Sequence, residues 1–183
     1  MYAGIIAIAV IAAAAVGTVI WAIGASNRFK AMLVKIREAD SGIDVALTKR
    51  FDTLTKLMDV VKAYAKHEAG LIAETIRLRA GMGTGEKAEA SRQMDAAAQQ
   101  LSVLAEAYPE LRSNENYKQL QEAIAEAEDH LQGARRVYNM NVSAFNQAIA
   151  QFPGSVVAGI AHHTPQPFFV AEAGKREDVE ISL

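Results

Sequence analysis

The sequence predicts an all-α protein: an N-terminal transmembrane helix followed by an elongated antiparallel bundle of three to four helices. Three observations carry that prediction. The first 27 residues hold no charged side chain. Beyond them, apolar residues recur every three or four positions in successive runs, which is the spacing of one face of a helix. The breaks between runs fall at Gly-rich and Pro-containing stretches that turn a chain. The expected organisation is a transmembrane anchor over 1–27, a cytoplasmic bundle over 28–163 and a flexible tail over 164–183.

Composition narrows the function classes. All 19 Lys+Arg and all 21 Asp+Glu of the 183-residue chain lie beyond the anchor, for a formal charge of −2. That near balance argues against nucleic acid as the main partner, which would favour a basic face. The chain has no cysteine, so it has no disulfide framework, zinc-finger ligand set or thiol nucleophile.

The anchor is residues 3–25. It exceeds the ~18 apolar residues that suggest a membrane span, and at ~1.5 Å per residue it crosses a ~30 Å hydrocarbon layer. A secretory signal would have a basic start and a shorter apolar core; here only Met1 and Tyr2 precede the run, which favours an uncleaved span. Arg28, Lys30, Lys35 and Arg37 follow it before the first acid, Glu38. The positive-inside rule therefore puts the N-terminus outside and the C-terminal domain in the cytoplasm, at the inner membrane. The lipid bilayer is thus the first expected partner, and the basic collar fixes topology. Ala9, Ala13 and Gly17 recur every four residues, a small-residue stripe along which two spans can approach closely.

From Phe29 the apolar seam runs through Leu33, Ile36, Ile43, Leu47, Phe51, Leu54, Met58 and Val61. The first helix is expected to continue from the membrane to about Ala80. Asp40 falls on this seam, where an acid needs a partner, water or exposure. Gly81-Met82-Gly83-Thr84-Gly85 then breaks the pattern. It lacks the Lys-Ser/Thr pair and preceding strand of a phosphate loop and is expected to be a turn. A second helix over about 86–107 has the seam Ala90, Met94, Ala97, Leu101, Leu104 and Tyr108, and is expected to fold back on the first. Pro109 ends it.

Ser113 or Asn114 is placed to cap a third helix. Its seam is the clearest in the chain: Tyr117, Leu120, Ile124, Ala127, Leu131, Ala134, Tyr138, Val142, Phe145, Ile149 and Phe152. Pro153-Gly154 closes it, and residues 155–161 are apolar enough for a short fourth helix.

Few residues invite chemistry. His162 and His163 are adjacent, so on a helix they point ~100° apart and cannot chelate as an i, i+4 pair does. His67-Glu68 resembles half of a zinc-protease motif, but position 71 is Leu. No Ser-His-Asp set sits on a recognisable elbow. The expectation is no enzyme, no cofactor and no metal.

Several stretches together resemble the LemA family. They are Ala46-Leu47-Thr48-Lys49-Arg50-Phe51-Asp52, Val61-Lys62-Ala63-Tyr64-Ala65-Lys66-His67-Glu68, Glu106-Ala107-Tyr108-Pro109-Glu110-Leu111-Arg112, Asn114-Glu115-Asn116-Tyr117, Ala134-Arg135-Arg136-Val137-Tyr138-Asn139, Phe145-Asn146 and Phe152-Pro153. They keep the family's order and cover about residues 28–170. The resemblance implies a membrane-anchored four-helix arrangement in the bacterial cytoplasm and no established enzymatic activity. One departure stands out: Thr53-Leu54-Thr55-Lys56-Leu57 replaces a Leu-Ile-Pro-Asn-Leu-like stretch, and without that proline a straighter first helix is expected.

Tyr108, Pro109, Asn114, Arg135, Tyr138, Asn139, Phe152 and Pro153 carry these motifs. Packing is the expected role of Tyr108, Tyr138 and Phe152, which fall on helix seams and would bury large areas. Arg135 and Asn139, one turn apart, are candidates for polar groups at a helix junction or for a partner. The sequence therefore points to a self-assembling membrane-anchored scaffold or interaction protein. The alternative is an adaptor or regulatory subunit of another membrane protein such as a protease or sensor kinase.

Overall fold

A computed structural model describes residues 2–65 and 81–169. Among them the chain is all helix and loop, with no strand. The elements are α1 (Tyr2–Lys62), α2 (Thr84–Glu106), α3 (Pro109–Ser113), α4 (Glu115–Ala150) and α5 (Gly154–Ile160).

Helix α1 is one unbroken element of 61 residues. Its apolar N-terminal part passes into the amphipathic part with no break between Ala25 and Leu33. The stretch that departs from the family pattern stays helical: the Thr53 and Thr55 hydroxyls donate to the carbonyls of Lys49 and Phe51 one turn back, at 2.8 and 2.9 Å. The helix ends at Lys62, well short of the expected Ala80. Ala63 and Tyr64 close a tight turn onto Val60 and Val61. Local propensity favours continuing through these alanines; tertiary contacts override it. Ala65 is buried, and the Tyr64 hydroxyl accepts from Asn114 Nδ2 at 3.3 Å. His67, Glu68 and the rest of the expected extension lie outside the described residues.

The glycine-rich stretch is the expected turn. Gly81 has φ +78°, a left-handed conformation that suits glycine. Gly83 caps α2, and its N–H donates to Glu86 Oε2 at 3.0 Å. At the other end, Pro109 opens α3 at the position where a missing N–H costs nothing. Asn114 then caps α4, its Oδ1 accepting from Tyr117 N at 3.2 Å.

The chain forms two compact units. One comprises Met1–Glu38 and Met140–Pro167. In it α1 and α4 run antiparallel, with Phe29 edge-on to Phe145 and Asn141 Nδ2 donating to the Lys35 carbonyl at 3.3 Å. The core is Phe29, Ile36, Val142, Phe145, Ile149, Val157 and Ala158. His163 stands edge-on to both Phe29 and Phe145, so its ring serves in packing, whereas His162 is exposed with φ 53°. The short helix α5 fits because Gly154 has no side chain: a Cβ there would lie 2.5 Å from the Ala148 carbonyl oxygen and 3.4 Å from the Phe29 ring.

The other unit holds Ala39–Asn139 and the chain from Phe168. Its core joins Ile43, Leu47, Leu54, Leu57, Met58 and Val61 of α1 to Met94 and Leu101 of α2 and to Ile124, Leu131 and Tyr138 of α4. Here α2 does not fold back on α1. Asp40 and Asp44 meet Lys87, and further along Arg50 meets Ser91 and Asp95, so α1 and α2 run parallel. Helix α4 is antiparallel to both, as the pairs Lys49–Glu126 and Thr84–Tyr138 show. Lys87, near the start of α2, thus stands level with Asp40, about 30 Å back along α1 from Lys62.

Gly154→Ala forces a methyl into the Ala148 backbone and is expected to cost about 1–3 kcal/mol, read as a lowered unfolding midpoint in detergent. Gly159→Ala, with nothing within 4 Å of the added carbon, is expected to be neutral or mildly stabilising.

Candidate interaction site

The chemistry-bearing side chains of the second unit form an ionic cluster between three helices. On α1, Asp40 and Asp44 are one turn apart on the same face. Between them sits the Lys87 ammonium of α2, 2.8 Å from Asp40 and 2.7 Å from Asp44. The Lys87 side chain is only 2% exposed. Burial alone pushes its pKa down; the hydrogen bonds and charges of Asp40 and Asp44 outweigh it, and the net shift is upward.

Further along α1, Arg50 is also buried. Its Nη1 lies 2.9 Å from Glu128 Oε2 and donates to Ser91 Oγ at 3.3 Å, while Nη2 pairs with Asp95. The Glu128 contact is close but off-axis, an ionic contact rather than a directed hydrogen bond. Ser91 Oγ also accepts from Arg135 of α4. The cluster thus ties α1, α2 and α4 together through two guanidinium groups and one ammonium.

Arg135 makes a second contact: its guanidinium lies over the Phe169 ring, 4.9 Å from the centroid, a cation–π arrangement. Asn139, one turn on, holds the same residue by its backbone. Its Oδ1 accepts from Phe169 N at 2.8 Å, and its Nδ2 donates to Phe169 O at 3.0 Å. Phe169 itself is buried. In the first unit Asn146 repeats this exchange with Gln166, at 2.8 and 2.9 Å. Each asparagine amide presents one donor and one acceptor to one residue's backbone, which is how a strand neighbour would read it. Arg135 and Asn139 therefore have a partner within the chain. Within the expected tail over 164–183, Gln166 and Phe169 are held by these bonds. Residues 170–183, including the alternating Val179, Ile181 and Leu183, lie outside the described residues.

The other expected residues fall elsewhere. Tyr138 is buried, with its hydroxyl 3.5 Å from Thr84 Oγ1. Tyr108 is half-buried, and its carbonyl accepts from Leu111 and Arg112 at the start of α3. Tyr108, Pro109 and Asn114 form the corner between α2 and α4, about 30 Å along α4 from Arg135. Phe152 does not pack on the α4 seam. It lies beyond the end of α4, before a cis Pro153, and is 84% exposed; the helix stops at Ala150, so the 3.6-residue period no longer aims position 152 at the core. Ala9, Ala13 and Gly17 are exposed on α1, with open space beside Gly17.

Lys87, Arg50, Ser91, Asp95 and Asn146 are the residues that seam-reading passed over. The signals were present. Arg50 stands three after Leu47 and four before Leu54, Lys87 three before Ala90, and Asp40 interrupts the apolar row. Charged residues at seam positions of two helices are candidates to pair with one another.

Asp40 and Asp44 keep 37% and 55% of their side chains exposed, so the cost of breaking the tie is asymmetric. The pair Asp40→Asn and Asp44→Asn strands a buried ammonium and is expected to cost about 3–5 kcal/mol in denaturant unfolding; Lys87→Met leaves two acids that reach water and is expected to cost less than about 2 kcal/mol. The upward shift of Lys87 means that its contribution is complete below its unfolded value of about 10.4 and fades as pH rises through the higher folded value. An alkaline stability titration is expected to show this loss above about pH 10.4 in the unaltered chain and not in Lys87→Met. Asn139→Ala is expected to raise hydrogen exchange at Phe169 by at least tenfold, the factor that about 1.4 kcal/mol of lost hydrogen bonding gives.

No curated protein sequence matches the chain. The sequence pattern of the LemA family matches residues 39–183, a span that includes every residue of the ionic cluster and the segment held by Asn139. With most of its length covered by that match, the chain belongs to the LemA family.

Proposed function

We propose that the protein is a single-pass membrane-anchored helical interaction protein that self-associates, with no catalytic activity of its own. The observation that carries this reading is the N-terminal part of α1. It is long and apolar enough to cross a membrane, and none of its most apolar 18-residue window is buried. A helix face this apolar needs a non-aqueous partner, and the bilayer supplies one. The basic flank of Arg28, Lys30, Lys35 and Arg37 favours an N-terminus outside and a bundle in the cytoplasm, at the bacterial inner membrane. Ala9, Ala13 and Gly17 are the face on which two spans would meet.

A second reading is an adaptor for another membrane protein, such as a protease or sensor kinase. The observation that favours it is the way Asn139 and Arg135 read a peptide backbone and an aromatic ring, here those of Phe169. A partner's peptide with the same features would compete for that seat.

The chain lacks cysteine, so single cysteines test both parts in native membranes. Ala13→Cys is expected to form an oxidative dimer, whereas Ile11→Cys, about 200° around the helix from it, is not. Failure of every position from 9 to 17 to cross-link would overturn self-association through the span. Val103→Cys is expected to react with an impermeant maleimide only after the inner membrane is opened; labelling of intact spheroplasts would reverse the topology. Co-purification of a stoichiometric foreign protein in place of a homomeric ladder would favour the adaptor.

A further inference from the structure

We propose that Phe152, Val156 and Ile160, together with Arg28, form a phospholipid-binding face that sits in the headgroup region of the bilayer crossed by α1. This rests on the anchor reading above and adds a second membrane contact to it.

The three apolar residues are spaced by four along the end of the chain's first unit, and all point outward: Phe152 is 84% exposed, Val156 53% and Ile160 76%. The opposite face of α5 turns Val157 and Ala158 into the core. A helix that lies against water normally carries charge on its outer side. Here no Asp, Glu, Lys or Arg occurs between Arg136 and Glu172. The other half of the same unit is cationic: its charged residues are Arg28, Lys30, Lys35, Arg37 and Glu38. A largely apolar corner free of Asp, Glu, Lys and Arg, beside a basic collar, fits an interface with lipid below and phosphate around it.

The face is continuous with the span. An open groove of about 670 Å³ runs beside α1, lined by Trp21 and Ala25 from the apolar run and by Phe152 and Pro153 from the turn before α5. It follows α1 from Trp21 to Met32, about 16 Å along the axis. It therefore begins within the last turns of the span and ends outside the hydrocarbon. Arg28 is the charged residue lining it. A guanidinium binds phosphate through paired N–H donors, and tryptophan is enriched at this depth of a membrane. The groove matches one lipid: an acyl chain against Trp21 and Ala25, and the phosphate at Arg28.

The test uses the full chain in nanodiscs of phosphatidylethanolamine and phosphatidylglycerol, with single nitroxide labels on Phe152→Cys and Ile160→Cys. Ile11→Cys in the span and Val103→Cys on α2 are references. Collision with oxygen, which partitions into lipid, is compared with collision with a water-soluble nickel chelate. At 152 and 160 the oxygen-to-nickel ratio is expected to be several-fold above that at Val103→Cys, and Arg28→Gln is expected to lower it at 152. Ratios equal to the Val103 reference while Ile11→Cys stays lipid-exposed would overturn the proposal and leave the anchor intact. Labels shielded from both reagents would overturn it in favour of a second protein copy on this face. An unchanged ratio in Arg28→Gln would overturn the phosphate contact. Nickel access at Ile11→Cys would overturn the anchor reading, and this one with it.

Discussion

Buried cations set the arrangement of the second unit. The Lys87 ammonium is nearly cut off from water, and Asp40 and Asp44 are the partners that let it stay there charged. Two acids one turn apart on α1 converge on one point of α2 and so fix where that helix stands. Arg50 adds a second fixed point through Ser91 and Asp95. Two points in the same order on both helices define a parallel pair. Apolar packing alone specifies direction weakly, because an apolar row such as Ala90, Met94, Ala97 and Leu101 carries no feature that distinguishes one end from the other. The exposed pairs do little by comparison. Lys49–Glu126 and Lys62–Asp59 lie in water, where such contacts contribute about 0–1 kcal/mol.

What the sequence discloses follows from how local each feature is. The apolar run at 3–25, the seams of α1, α2 and α4, the turn at Gly81 and Gly83, the opening of α3 by Pro109 and the cap at Asn114 depend on residues within a turn or two of one another. All can be read directly. The end of α1 cannot, because Lys62-Ala63-Tyr64-Ala65 is good helix sequence and the contact made there, Tyr64 with Asn114, is to a distant element. The direction of α2 was hidden for the same reason: it shows only in contacts between distant elements, those of Asp40 and Asp44 with Lys87 and of Arg50 with Asp95. Phe152 kept the period of the α4 seam on paper, but the helix ends two residues before it. Asp40 was the most informative single residue. Its place in an apolar row called for a partner, water or exposure, and the three-dimensional arrangement supplies the partner, Lys87.

The candidate site divides in a similar way. Arg135 and Asn139 were legible as residues with polar business at one spot. Their partner, the backbone and ring of Phe169, lies 30 residues on from Asn139, in a stretch with little pattern of its own. Asn146 makes the same exchange with Gln166. The charge-free stretch from Val137 to Ala171 is another case, since absence of charge becomes meaningful only once Val156 and Ile160 prove to face outward. In the proposed function these features share one logic: a chain that presents apolar surface to lipid at one end holds its polar bundle together with internal ion pairs.

The most direct measurement is native-state hydrogen exchange on the full chain in nanodiscs, followed across residues 39–62, 84–106 and 115–139. If the cations on α1 and α2 bind these three helices into one cooperative unit, their slowest amides are expected to exchange with a common opening free energy and a common denaturant dependence. An α2 whose amides all open at a free energy several kcal/mol below those of α1 and α4 would contradict that, and would show Lys87 and Ser91 to be held by the other helices without holding them in turn.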